Sequence, residues 1–204
     1  MIYLYGASGH AKVVIEILEQ RQKIILGLID VNPVIKNLFQ YPVFQEIPAI
    51  DFEDDLTMII CIGNNITRKR VAEKILMNFE TAIHPSANIS GRSSIGVGSV
   101  VMAGVSVNSD ANIGKHVILN TNCSLDHDCI LEDYVHISPN AALAGSVKIG
   151  EGTHIGIGAC IIQGIKIGKW VTIGAGAVII RDVPDYAVIV GNPGRIIKYN
   201  QKLN

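Results

Sequence analysis

A six-residue repeat runs without a slip from Ile83 to Ile179 and constrains this chain more than any other feature. Stepping by six gives Ile83, Ile89, Ile95, Val101, Val107, Ile113, Leu119, Leu125, Leu131, Ile137, Leu143, Ile149, Ile155, Ile161, Ile167, Ile173 and Ile179, all aliphatic. Four residues after each comes a small or short side chain, from Ala87 and Ser93 through Cys123 and Cys129 to Ala177, with Ile165 the one large exception. A period of six matches neither the 3.6 of a helix nor the alternation of one strand. It fits a coil of three short strands, eighteen residues per turn, with one large and one small residue pointing inward on each flat side. Gly, Asn, Asp or Glu often follows the aliphatic, as at Gly96, Gly114, Asn120, Asp126 and Gly150, and these positions are expected to form tight corners of positive φ. Stacked coils pair as parallel strands about 4.8 Å apart, so about five and a half coils make a prism roughly 27 Å tall.

The hexad is absent before Ile83, where a separate module is expected. Ile2–Tyr5 reads as an apolar strand running into Gly6-Ala7-Ser8-Gly9-His10, and Ala11–Gln20 as a helix with Val13, Val14, Ile17 and Leu18 on one side. Lys23–Ile29 reads as a second strand ending at Asp30, and Leu56–Ile62 as a third ending at Gly63. A second helix is expected over Thr67–Phe79 with Thr67 as its cap. Strand–turn–helix ordering implies a small parallel sheet. The loop after the first strand offers backbone N–H groups to an anion, although two glycines fall short of the full dinucleotide fingerprint. An acidic residue at the end of the second strand suits a ribose hydroxyl, and an ordinary strand end equally well.

Composition narrows the function. With 17 basic and 18 acidic residues the net charge is −1, so no nucleic-acid footprint is present. The apolar runs are too short to span a membrane, and Met1–Gly6 lacks the basic start and cleavage site of a signal peptide, which points to the cytoplasm. Cys61, Cys123, Cys129 and Cys160 show neither disulfide-framework nor zinc spacing; Cys123 and Cys129 fill small inward slots of the repeat.

The repeat, together with the closing run Val183-Pro184-Asp185-Tyr186-Ala187-Val188-Ile189-Val190-Gly191-Asn192-Pro193-Gly194-Arg195-Ile196-Ile197-Lys198, resembles the hexapeptide-repeat acyltransferases. With the amino-terminal Tyr5-Gly6-Ala7-Ser8-Gly9-His10 added, the whole chain resembles one branch: sialic-acid O-acetyltransferases and N-acetyltransferases of nucleotide-linked 4-amino sugars. The resemblance implies a Rossmann-like α/β domain over residues 1–82 that holds the nucleotide-sugar. A left-handed parallel β-helix over residues 83–204 follows, which binds acetyl-CoA and works as a homotrimer. It also implies that Ser8, Gly9 and His10 contact substrate, that Asp30 and Val31 lie near the nucleoside, and that Gly63 lies beneath it. Family members with two acidic residues after the second strand contrast with Asp30-Val31 here, which leaves the nucleoside open.

Six histidines compete for the chemistry. His84 opens the first coil and is assigned a structural role; His116 takes an outward slot and is assigned to the surface. His127, within Leu125-Asp126-His127-Asp128-Cys129, resembles the family's catalytic segment, which makes it the general base and Asp128 the residue that orients it or raises its basicity. Adding eighteen places Gly145 one rung above His127, where its N–H is open to an oxyanion, and places His154 above His136. By resemblance His136, Ile157 and Ala175 contact acetyl-CoA; His154 carries no motif. His127 and His136 are half a coil apart and face different sides of one prism, so they share a site only where prisms meet.

The resulting expectation is acetyl transfer, without a metal, to the 4-amino group of a nucleotide-linked sugar, with UDP as the nucleotide. Sugar O-acetylation is the alternative within the class. A zinc carbonic anhydrase that draws on His116, His127 and His136 across an interface is the alternative outside it.

Overall fold

The computed structural model describes residues 1–47 and 56–201. Its first unit is a six-stranded sheet in the order β3-β4-β2-β1-β5-β6. Here β1 is Ile2–Tyr5, β2 Ile25–Ile29, β3 Asn37–Leu38, β4 Tyr41–Phe44, β5 Thr57–Ile60 and β6 Asn78–Phe79. All pairings are parallel except that of β3 with β4. Helix α1 (Gly9–Gln20) buries Ala11, Val14, Ile15, Ile17 and Leu18; of the side expected from the sequence Val13 is only partly buried, and Ile15 joins it. Helix α2 (Asn65–Ala72) starts and stops earlier than the spacing suggests. Its cap is Asn64, whose side chain accepts from the Thr67 amide at 2.9 Å, so Thr67 is inside the first turn. Asparagine suits a cap because its carbonyl reaches an otherwise unpaired N–H of that turn.

The second unit is the left-handed parallel β-helix. Each two-residue strand pairs with the one eighteen residues on, as Val100 with Ile118, Ser106 with Ser124 and Asn112 with Ile130. Three flat faces result. Face one runs from Ala82–Ile83 to Thr172–Ile173, then takes on Ala187–Val190 in parallel and Arg195–Tyr199 in antiparallel pairing. Face two runs from Asn88–Ile89 to Val178–Ile179, and face three from Ser94–Ile95 to Lys166–Ile167. The aliphatics from Val101 to Ile179 are buried in one core with the small residues between them. Two polar members of the small set are satisfied inside it. Ser99 Oγ donates to Gly114 O and accepts from Val117 N, and Thr153 Oγ1 does the same between Gly168 O and Val171 N.

The corners differ from expectation in one respect. From Ile95 to Ile173 positive φ falls three residues after the aliphatic, at Gly98, Gly104, Asp110, His116, Asn122, Asp128, Tyr134 and onward to Gly176, and not one residue after. The glycines that directly follow the aliphatic serve close stacking instead. A Cβ on Gly96 would lie 2.5 Å from the Gly114 carbonyl carbon, and one on Gly150 would lie 2.6 Å from that of Gly168.

The two units share a core. Residues of α1 pack with Ala82, Val100, Met102 and Ile118 of face one. The edge where face three turns into face one carries stacked corner residues, His116 and Tyr134 with ring centroids 5.3 Å apart and planes at 2°. Phe79 closes on His116 edge-on at 4.5 Å. His116 is therefore buried, not a surface residue: it points outward from the prism, and the first unit covers it.

Gly150→Ala should lower stability by about 1–3 kcal/mol, because backbone of the next coil has to move. Gly91→Ala, with nothing within 4 Å of the added methyl, should stay within about 0.5 kcal/mol. Denaturant midpoints of the two variants measure the contrast.

Candidate active site

Three loops meet at the carboxyl ends of adjacent parallel strands, after β1, β2 and β5, where open α/β sheets bind ligands. Gly6 has φ +104° and its missing Cβ leaves room for the Cys61 carbonyl at 3.0 Å, so this glycine answers to the fold. Gly9 and Gly63 are different: neither has positive φ, and nothing lies within 4 Å of an added Cβ. The space over them is open. Ser8 caps α1 by position without a side-chain hydrogen bond to the helix. Asp30 is partly committed, its Oδ2 accepting from Ala7 N at 2.8 Å and its Oδ1 from Asn32 N at 2.9 Å. It thus clamps the glycine loop to the end of β2. Val31 is 75% exposed and presents only methyl groups there.

Opposite these loops lies a histidine column on face one. His136 and His154 pair in register and stack at 4.9 Å and 20°. Each reaches down to a polar residue sixteen positions earlier: His136 Nε2 lies 3.2 Å from Asn120 Nδ2, and His154 Nε2 lies 2.8 Å from Ser138 Oγ. The shared spacing of sixteen is the sequence signal for Asn120 and Ser138, and the sequence reading passed over both. Burial drives the His136 imidazole down to about 3, helped by the His154, Arg68 and His10 charges, with the backbone of Gly63 pulling the other way. Burial, then Arg68, brings His10 to about 4. These rings are neutral at physiological pH. The Nε2 atom of His10 is buried and has no hydrogen-bond partner among the described residues. A cavity of about 900 Å³ is lined by Gly63, Asn65, His136, His154, Trp170 and Asn200, so the third loop and the histidine column share one space.

His127 and Gly145 lie on another edge, where face two turns into face three. Ladder hydrogen bonds hold the turn: Ser146 N donates to His127 O at 2.8 Å, and Asp128 N donates to Ser109 O at 3.0 Å. Asp128 adopts φ +59°, and from this corner its Oδ2 meets His127 Nδ1 at 2.7 Å. Asp126 accepts from His127 N and from Asn108 Nδ2 through the same oxygen. Both carboxylates raise the His127 pKa, the Asp128 hydrogen bond first and the Asp126 charge next. With Nδ1–H given to Asp128, Nε2 is left as the proton acceptor. The ring lies against Gly145 of the next coil, where a Cβ would be 2.7 Å from Nε2. Ile157, 58% exposed, and Ala175 occupy the remaining edge, between faces one and two.

One chain therefore brings together Ser8, Gly9, His10, Asp30, Val31 and Gly63 on one unit with His136 beside them, and keeps His127, Asp128 and Gly145 on a separate prism edge. His116 is walled in by Phe79 and Tyr134, which removes it from any zinc site shared with His127 and His136. The sequence reading missed Arg68, which is 1% exposed beneath the third loop. Among the described residues no helix is long and apolar enough to cross a membrane.

Comparison with known proteins agrees with both units. Residues 1–75 match the PglD N-terminal domain, and residues 146–181 match the bacterial transferase hexapeptide repeats. A histidine-to-asparagine mutant of perosamine N-acetyltransferase from Caulobacter crescentus, solved with CoA and GDP-perosamine, is 36% identical, with a TM-score of 0.90 over 97% of this chain and 96% of that one. The acetyltransferase domain of PglB from Neisseria gonorrhoeae FA1090, solved with acetyl coenzyme A, is 35% identical, with a TM-score of 0.88 over 96% and 98% of the two chains. UDP-N-acetylbacillosamine N-acetyltransferase from Bacillus subtilis (strain 168) is 38% identical over 110 residues, about half of either protein (50% of this chain, 51% of that one). The chain belongs to the hexapeptide-repeat acetyltransferases, in the branch that joins a PglD N-terminal domain to a left-handed β-helix.

Proposed function

We propose that this protein transfers an acetyl group from acetyl-CoA to the 4-amino group of a nucleotide-linked sugar, and that His127 is the general base. The observation that carries this reading is the His127–Asp128 pair, with the ring against a glycine of the next coil on an exposed edge. The free amine attacks the thioester carbonyl while His127 Nε2 takes its proton. The Gly145 N–H faces the resulting oxyanion. Collapse of the tetrahedral adduct expels the CoA thiolate, which takes the proton back from the imidazolium. Atoms and charge balance, and no redox step is involved.

The nucleotide-sugar sits over Ser8, Gly9, His10 and Gly63, where the chain leaves backbone approach open. Asp30 shapes that loop through Ala7 N and keeps unused lone pairs for a ribose hydroxyl. Acetyl-CoA runs past His136, Ile157 and Ala175. This arrangement supports a trimer, because the nucleotide loops lie against face one and the base lies on an edge that face one does not share. A neighbouring prism supplies the missing half. In this reading residues 1–82 are the substrate-binding domain, residues 83–204 the acetyl-CoA-binding domain, and the enzyme acts in the cytoplasm.

UDP is the first choice of nucleotide, in line with the Bacillus relative; the GDP-perosamine complex of the Caulobacter structure favours GDP as the second reading. An acetyl-CoA consumption assay across UDP-, GDP- and CMP-linked sugars decides between them. A UDP-linked 4-amino sugar should be acetylated far faster than free sialic acid; the reverse order would replace this reading by O-acetylation.

His127→Ala should lower turnover by at least ~100-fold with little change in acetyl-CoA affinity. Gly145→Ala should approach the same loss in kcat, since its methyl displaces the ring. The neutral imidazole is the active form, so kcat/KM should rise with pH through a value above that of free imidazole. Asp128→Asn keeps a residue tolerant of positive φ and removes the charge. Its acidic limb should move to lower pH and its plateau should fall. An unmoved limb in the pH–rate profile would detach Asp128 from the base.

A further inference from the structure

We infer that Arg68 is a positioning residue that sets the nucleotide-sugar loop at a fixed place on the prism. This inference rests on the proposed binding of a nucleotide-sugar over Gly63. Arg68 is buried on α2, and among the described residues none of its hydrogen-bond partners is a carboxylate. All five of its N–H groups are used. Nε donates to His116 O at 2.9 Å, and Nη1 donates to Ile62 O at 3.0 Å and Gly63 O at 3.2 Å. Nη2 donates to Asn65 Oδ1 at 2.9 Å and Tyr134 O at 2.8 Å. His116 and Tyr134 are successive corners of one prism edge, eighteen residues apart, and both have positive φ. One rigid guanidinium thus binds two rungs of the prism and the two carbonyls of the loop that follows β5.

Geometry makes this a matter of reach and not of charge alone. The planar fork matches five acceptors at once, whereas an ammonium offers three donors around a point. Asn65 continues the tie one rung further, its Nδ2 donating to Gly152 O at 2.9 Å. The Arg68 charge also acts on His10, His116, His136 and His154, in each case as a cause after burial or after another neighbour. The same side chain therefore holds the loop against the prism and adds to the burial that disfavours the imidazolium in these histidines.

The test compares Arg68→Lys, which keeps the charge and loses the fork, with wild type as the intact oligomer. The Michaelis constant for the nucleotide-sugar should rise at least ~10-fold, the scale of one lost charged hydrogen bond. Saturating kcat and the Michaelis constant for acetyl-CoA should stay within about 3-fold. A normal nucleotide-sugar Michaelis constant, with the loss confined to kcat or to the yield of folded protein, would overturn the inference. Should Arg68→Lys not fold, Asn65→Ala takes its place. It removes one acceptor of the fork, and an unchanged Michaelis constant for the sugar in that variant is equally damaging. Wild-type binding of nucleotide-sugars, measured by calorimetry in the same series, reports on the proposed function separately: no binding by wild type sinks that function, and this inference with it.

Discussion

Registration between coils governs this molecule. The ladder hydrogen bonds of the prism join each strand to the coil above or below, so position i and position i+18 are forced into contact whatever their side chains. That constraint turns a linear sequence into three faces and three edges, and each carries a separate task. One edge meets the first unit through His116, Tyr134 and Trp170. A second carries His127 beneath Gly145. The third carries Ile157 and Ala175. Face one holds the histidine column against the loops that follow β1 and β5. A rigid prism cannot fold one edge onto another face, and this rigidity is the physical reason for proposing that the complete site lies between subunits.

Electrostatics divides the histidines by burial. His136 and His10 lose their water and lie near a buried guanidinium, and both effects disfavour the imidazolium. They act at neutral pH as uncharged hydrogen-bonding rings. His127 is exposed between two aspartates, which favour the imidazolium, so it is a stronger base than a free imidazole. The same residue type is thus a neutral lining in one place and a more basic ring in another. Lys69 adds a further tie at the seam, paired with Glu151 and 5.8 and 5.6 Å from the ring centroids of Tyr134 and Trp170.

Much of this architecture is legible in the amino-acid sequence because the repeat converts arithmetic into geometry. Adding eighteen puts Gly145 over His127 and His154 over His136, and both neighbours are found there. The expectations that fail concern contacts no period encodes. His116 has an outward slot, and Phe79 of the first unit together with the stacked Tyr134 ring buries it there. The glycines after each aliphatic suggest positive φ, yet they answer to the close approach of stacked backbones, and the turn bends two residues later. Arg68 lies in a polar stretch, Thr67-Arg68-Lys69-Arg70, that reads as solvated; the carbonyls that receive it come from residues 62, 63, 116 and 134. Its burial is a tertiary fact. The roles of Ser8, Gly9, His10 and Val31 rest on the open space over the loop and on family resemblance.

The central claim is that the base and the nucleotide-binding half of one site come from different subunits, and subunit mixing addresses it most directly. His127→Ala and His136→Ala proteins, each inactive alone, are exchanged and assayed after hybrid formation is verified. Random trimers from equal parts should present about one intact interface in four, and activity should return towards that fraction of wild type. No recovery in verified hybrids would contradict the account and assign each site to a single chain.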